Sequence, residues 1–263
     1  MIEAGGEVKM EIIKVNQDNI DAEHICCAIS ETKGDRSASL KKEWLRMRFD
    51  DGLVFQKLNV RGKVFVEYIP AEKAWCPIDA EGYLFINCFW VSGQYKGQGW
   101  ADRLLECCLQ DAGRMGAKGV AILSSHQKRP FLSDPKYLKY KGFRVADMAK
   151  PYFELLYKNL DEKDDGRPLF RECVKAARAD SPGLVLYFTN QCPHAEKYAL
   201  LVKKCAEERG WNLALMKIES VQEAQNAPTP FTTYSLFYNG SLITNEILSE
   251  KKFHLLLDEL ERK

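Results

Sequence analysis

Two stretches of this sequence set ligand-binding or reactive groups where a strand hands over to a helix. The first is Gln94-Tyr95-Lys96-Gly97-Gln98-Gly99. Without side chains at Gly97 and Gly99, the backbone can turn sharply and approach a ligand closely. The first amides of the following helix have no internal acceptors, and the helix dipole favours an anion there. A pyrophosphate is the natural guest, with Lys96 placed for a charge-assisted contact. So short a glycine pattern also fits a plain strand-to-helix turn. The second stretch is Asn190-Gln191-Cys192-Pro193-His194-Ala195. It puts a thiol at a helix start, where free amides lower a thiol pKa, although a Cys-Pro pair there is also an ordinary cap. Lys128, Arg129, Lys136, Lys139 and Lys141 gather positive charge downstream of the glycine loop. They face either phosphates or solvent.

Such loops need rigid elements on both sides. Aromatic and β-branched runs predict strands over 11–15, 53–60, 64–68 and 83–91, with Arg61-Gly62 and Glu81-Gly82 as reversals. Helices are expected over 20–30 and over 37–49, the latter with Ser37 as its cap and Asp50-Asp51-Gly52 as its end. After Gly99 the apolar period lengthens to that of a helix, with Ala101, Leu104, Leu105, Cys108 and Ala112 on one face and Gly113 and Gly116 offering a stop. A buried strand over 120–123 follows, then a short helix opened by Asp134-Pro135 and closed by Gly142-Phe143, then strands over 143–146 and 152–157. The charged, turn-rich segment 159–168 reads as a linker. Beyond it the pattern restarts: helix 169–179, strand 184–188, helix 193–209, strand 212–218, a hairpin of 234–238 and 241–247 around Asn239-Gly240, and a helix from Ser249.

The length of 263 residues suits two domains, divided here as 1–159 and 160–263. The 38 basic and 37 acidic residues leave a net charge of +1, which argues against a nucleic-acid binder, whose affinity rests on a basic field. No run approaches the ~20 apolar residues of a membrane span, and the first ten residues do not read as a secretory signal. Nine cysteines, an odd number with Cys26–Cys27 and Cys107–Cys108 adjacent, fit reduced thiols in a cytoplasmic protein and no common zinc pattern.

The order strand, Q-x-x-G-x-G, helix, strand, short helix ending in Gly-Phe resembles the GNAT superfamily of N-acetyltransferases over about residues 10–158. Here the pieces are 84–91, 94–99, 100–113, 119–124 and 135–143. The resemblance implies an α/β acyl-CoA N-acyltransferase fold: a mixed, splayed sheet with flanking helices. Acetyl-CoA would be the co-substrate, its pantetheine arm along Phe89, Trp90 and Val91. Its pyrophosphate would lie on the loop of Gln94, Lys96, Gly97, Gln98, Gly99, Trp100 and Ala101. An amine attacking a thioester needs proximity, a polarised carbonyl and an acid for the leaving thiolate. The family often supplies that acid from a tyrosine four residues before the glycine of Gly-Phe. That position is Leu138 here, so Tyr137 and Tyr140, which flank it, are the catalytic candidates; both also fit as packing residues with wet hydroxyls. Cys88 would face the thioester, as an acyl-accepting thiol or as a small core residue.

The second half resembles the thioredoxin fold, and the whole chain looks like the YoaP-type acetyltransferases, in which such a smaller α/β module follows a GNAT domain. Ala195 stands where a C-x-x-C pair would have its second cysteine, and Thr232 where a proline would precede the third strand. The expected function is direct acetyl transfer from acetyl-CoA to a small-molecule or peptide amine in a ternary complex. A thiol-dependent redox or adaptor protein using Cys192, with the first domain sensing acyl-CoA, is the alternative.

Overall fold

The computed structural model describes residues 10–28, 33–175 and 178–262. Its larger sheet is built from β1 (Ile12–Val15), β2 (Val54–Leu58), β3 (Val64–Pro70), β5 (Tyr83–Val91), β6 (Gly119–Ser125), β7 (Arg144–Ala149) and β8 (Phe153–Asn159). The spatial order is β1-β2-β3-β5-β6-β8-β7, antiparallel except for the β5–β6 pair. A parallel pair needs a crossover, here α2 (Trp100–Arg114). Successive residues of each strand face opposite sides. Phe55, Phe65, Phe85 and Ala121 therefore share one core with Trp44 and Leu45 of α1 (Ser37–Phe49). Val54, Val66, Leu84 and Val120 share the other with Leu104, Leu105, Cys108 and Ala112 of α2 and Leu138 of α3 (Pro135–Tyr140). The mixed, splayed sheet with helices on both faces is the architecture the glycine-loop resemblance implied.

The splay has a definite origin. β5 and β6 pair from Tyr83–Gly119 to Ile86–Ile122 and no further. At the next residue β5 bulges: Glu67 pairs with Cys88 and Tyr68 with Ile86, leaving Asn87 without a counterpart on β3. A bulge bends its strand and increases its twist. β5 thus stays on β3 up to Val91 and leaves β6, which stays on β8 up to Ser125.

A smaller four-stranded sheet follows, in the order β11-β10-β12-β13. Its strands are β10 (Leu184–Phe188), β11 (Leu213–Lys217), β12 (Tyr234–Tyr238) and β13 (Ser241–Thr244). Only β10–β11 is parallel. Asn239 and Gly240, at φ 47° and 78°, make the two-residue turn between β12 and β13. The helices α5 (Ala195–Glu208) and α7 (Glu250–Glu261) bury Ala199, Val202, Phe253 and Leu257 against this sheet. A short pair, β4 (Ile78–Asp79) with β9 (Leu169–Phe170), links the halves of the chain. Among the described residues no helix is long and apolar enough to cross a membrane.

Three local expectations are corrected. Residues 17–23 form turns rather than the start of a helix over 20–30, of which 29 and 30 lie outside the described residues. The Asn16 side chain accepts the amides of Asp18 and Asn19, and such local bonds compete with a helix. The helix expected over 169–179 shrinks to α4 (Glu172–Lys175), with 176 and 177 outside the described residues. Phe170 is held in β9 by β4 and by an amide bond to Asp147 Oδ2 (2.9 Å). Ser37 is the first residue of α1 rather than its cap, and its amide donates to Asp35 Oδ1 (2.9 Å). One helix had no forecast: α6 (Val221–Gln225), capped by Ser220.

Lys41 and Glu67 form an ion pair of 2.6 Å, both side chains essentially inaccessible to water. Burial is the largest influence and disfavours the Lys41 charge, but Glu67 together with the Cys26 and Cys88 thiols leaves the ammonium pKa raised. Glu67 also accepts Asn87 Nδ2 at 3.1 Å, so the pair anchors the bulge. Removing one partner strands a buried charge, which costs about 3–5 kcal/mol. Lys41→Met is expected to lower the unfolding free energy by about that much in urea titrations, and Lys41→Met/Glu67→Leu to recover a large part of it. Equal stability of the single variant and the parent would show that the pair does not brace the sheet.

Candidate active site

The diverging ends of β5 and β6 open a cleft of about 980 Å³. Beyond Ile86 the β5 edge that faces β6 has no ladder partner, which leaves backbone groups for a guest. Phe89, Trp90 and Val91 border the cleft from this segment, as do Lys96, Gly97, Gly99, Trp100 and Ala101 from the loop and the start of α2.

The loop's shape follows from its glycines. Gly93, Gly97 and Gly99 adopt φ of 63°, 75° and 78°, a region that side chains disfavour. A Cβ at any of them would meet no protein atom within 4 Å, so the requirement is backbone conformation and an open approach. The first helical bond runs from the Arg103 amide to Gly99 O (3.1 Å), and no side chain caps the helix. The amides of Trp100, Ala101 and Asp102 therefore lack helical acceptors. Gln94 and Gln98 do not border the cleft. Gln98 Nε2 donates to Gln94 O (2.7 Å) and Trp100 Nε1 donates to Gln98 Oε1 (3.3 Å), so the two glutamines brace the loop.

The two tyrosines differ sharply. Tyr140 is 82% exposed at the cleft's edge. Tyr137 is part-buried, its ring 5.8 Å from that of Phe89 and its hydroxyl donating to Asp102 Oδ1 at 2.9 Å. Burial and this carboxylate raise the phenol's pKa, so it keeps its proton through the neutral range. Lys141 Nζ, 2.8 Å from Asp102 Oδ2, holds the Asp102 carboxyl below its usual range. Asp134 caps α3 by accepting the amides of Lys136 and Tyr137, which sets Tyr137 in the first turn. Nothing in the sequence ties Asp102 to a tyrosine 35 positions away, and the sequence reading missed it. Asn87 and Glu67 were also missed; each is a polar residue inside an apolar strand, and that interruption was the available signal.

The downstream cations divide their work. Lys128 pairs with Asp134 (3.0 Å), Lys139 with Glu154 (2.9 Å) and Lys141 with Asp102, while the Arg129 guanidinium stacks 3.7 Å over Tyr152. Lys128, Arg129 and Lys141 border the cleft; Lys136 and Lys139 do not.

Cys88 borders the cleft, but burial, with Cys27 and Glu67 nearby, raises its thiol pKa well above the usual value. It is a poor nucleophile there. The smaller sheet's side of the cleft supplies Gln191 and residues 230–233. Cys192 lies just behind Gln191, its sulfur enclosed although the residue keeps some exposure. Burial pushes its thiol up to about 11, against hydrogen bonds from the backbone at His194 and Ala195 that lower it. The helix-start effect is present and burial exceeds it.

The YoaP-like family profile matches residues 213–254. The chain is 40% identical to the uncharacterized N-acetyltransferase YoaP of Bacillus subtilis (strain 168) over 248 residues, covering 94% of this chain and 98% of that one. Among solved structures, the GNAT family N-acetyltransferase YhbS from Escherichia coli, in complex with CoA, is 15% identical. It covers 65% of this chain and 94% of its own, with a TM-score of 0.39. A GNAT family acetyltransferase from Brucella melitensis, in complex with acetyl-CoA, is 13% identical, covers 62% and 96%, and has a TM-score of 0.38.

A thiol titrating near pH 11 is almost wholly protonated at neutral pH, and the thiolate is the nucleophile. In the native chain, alkylation of Cys192 by iodoacetamide, followed by peptide mass mapping, should be negligible at pH 7 and rise only above about pH 10. Rapid labelling below pH 7 would instead reveal an activated thiol and revive the redox reading.

Proposed function

This chain belongs to the YoaP-like N-acetyltransferases, and on that premise we propose that it moves an acetyl group from acetyl-CoA to an amine bound in the β5–β6 cleft. The observation that carries the cofactor assignment is the glycine loop. Gly97 and Gly99 leave open space where Cβ atoms would stand, beside helix-start amides that no side chain caps. Both suit a pyrophosphate. Lys96 would add positive charge, Gln94 and Gln98 would hold the loop's shape, and the unpaired edge at Phe89, Trp90 and Val91 would receive the pantetheine amides. Acetyl-CoA supplies an activated acetyl group on a thiol leaving group.

The chain's own residues then have limited work. The cleft holds the amine beside the thioester so that its lone pair reaches the carbonyl carbon. Tyr137 Oη, kept protonated by burial and by Asp102, donates a proton to the departing sulfur, and the proton that the attacking nitrogen sheds passes through water to restore the phenol. Direct transfer is favoured over an acyl-enzyme because the Cys88 thiol is held protonated. The chain is read as two units, 1–159 and 160–263, the second built on a thioredoxin-like plan whose Cys192 is structural. All nine cysteines are free, which fits a reducing, cytoplasmic setting.

Acetyl-CoA should raise the melting temperature of the full chain, since a ligand that binds only the native state shifts unfolding. Gly97→Val and Gly99→Val are expected to abolish that shift while far-UV circular dichroism stays native. An undiminished shift in both variants would remove the loop from the cofactor site. With an acceptor drawn from a thiol-release screen over small amines and peptides, Tyr137→Phe should lower kcat by about a hundredfold and leave acetyl-CoA affinity unchanged. Tyr140→Phe should match the parent. Equal kcat in the Tyr137 variant would assign thiolate protonation to water.

A further inference from the structure

The far end of the cleft is walled by both units, and its chemistry narrows the acceptor. Trp75, Cys76, Phe85 and Leu123 come from the first unit, Gln191 and Phe231 from the second. The second unit is pinned in place at this wall. Thr232 Oγ1 donates to Trp75 O (2.5 Å), Cys76 Sγ donates to Pro230 O (3.3 Å), and Tyr152 donates its hydroxyl proton to Asn245 Oδ1 (2.6 Å).

Every one of these wall residues is neutral. The charged residues bordering the cleft belong to the glycine loop, the start of α2, the β6–α3 connection and the C-cap of α3. Its two carboxylates, Asp102 and Asp134, are already paired with Lys141 and Lys128. Among the described residues, no unpaired carboxylate borders the cleft. The reacting nitrogen sheds its proton before it attacks, so a monoamine can enter such a wall neutral, whereas a second ammonium or a carboxylate that stays charged would lose its hydration with no counter-charge.

Two amides interrupt the apolar lining. Asn87 Oδ1 and Gln191 Oε1 are both buried with no donor. The Asn87 amide has a definite orientation, because its Nδ2 donates to Glu67. A buried acceptor without a donor costs the full desolvation of that group, and a side-chain rotation that turns the oxygen to the cleft, where a guest offers N–H, removes the cost.

We infer that the second unit completes the acceptor pocket. Its guest is a compact primary amine on an uncharged aromatic or apolar frame. The amine's N–H groups are received by the carbonyl oxygens of Asn87 and Gln191, and its frame packs against Trp75 and Phe231. This inference rests on the N-acetyltransferase reading above.

The test uses the full chain with acetyl-CoA, following thiol release with phenethylamine and tryptamine against spermidine and a tetrapeptide with a free N-terminus. The aromatic amines should exceed the other two by about tenfold or more in kcat/KM. Gln191→Leu and Phe231→Ala should each raise KM for the aromatic amine by about tenfold while the acetyl-CoA-induced melting shift stays as in the parent. Gln191→Glu should move preference toward spermidine. Preference of the parent for spermidine or the peptide, or an unchanged KM in both Gln191→Leu and Phe231→Ala, would overturn the inference. Thiol release with other amines but neither aromatic one would overturn it too, while leaving the acetyltransferase reading standing. Absence of any acetyl-CoA-induced shift in the parent would overturn both.

Discussion

Asn87 is one residue more than the β3–β5 ladder can pair, and the architecture of the site turns on it. The bulge falls immediately after the last β5–β6 pair, Ile86 with Ile122. From there β5 follows β3 and β6 follows β8, so the sheet opens where a cofactor arm could enter as an extra strand-like element. A bulge is locally unfavourable because it forfeits ladder bonds. Here it is held by the Asn87 amide on Glu67, and Glu67 is held by Lys41. This arrangement buries an ion pair in the core beneath the cleft, where its desolvation is offset by close contact and by the Asn87 bond.

The C-terminal half of the chain is tied to this centre. Ile218, Ala224 and Ala227 share a hydrophobic core with Trp75, Cys76 and Phe85. Gln225 Nε2 donates to the carbonyls of Glu72 (2.9 Å) and Ala74 (3.2 Å), and Lys197 pairs with Asp35 (2.8 Å). Thr232 is instructive. The thioredoxin resemblance implied a proline at this position, and the Thr232 hydroxyl bonds to the first half of the chain. The Cys192 thiol, raised by burial, lies in the same half of the chain.

Charge is sorted along the cleft. The glycine loop and the β6–α3 connection carry cations, beside the uncapped amides at the start of α2. The other end is apolar and neutral. Asp102 and Asp134, at the starts of α2 and α3, are neutralised in pairs, and each also fixes an element of the site: Asp102 the Tyr137 hydroxyl, Asp134 the start of α3.

What the sequence by itself determined is what neighbouring residues decide. Glycines that need positive φ mark the loop at Gly97 and Gly99 and the turn at Gly240. Apolar periodicity marked α2, aromatic and β-branched residues marked the strand Tyr83–Val91, and the Asp134-Pro135 pair marked the start of α3, because composition, period and capping act within a few residues. The expected helices over 20–30 and 169–179 failed for the complementary reason. Asn16 forms local turns that outcompete one, and strand β4, some ninety residues earlier, captures the start of the other. Only the tertiary structure decided which side chains meet. The Tyr137–Asp102, Asn87–Glu67 and Thr232–Trp75 contacts join residues 35, 20 and 157 positions apart. It also decided the state of Cys192, because a helix start acts through adjacent amides that the sequence displays, whereas the burial that overrides it comes from packing between distant segments.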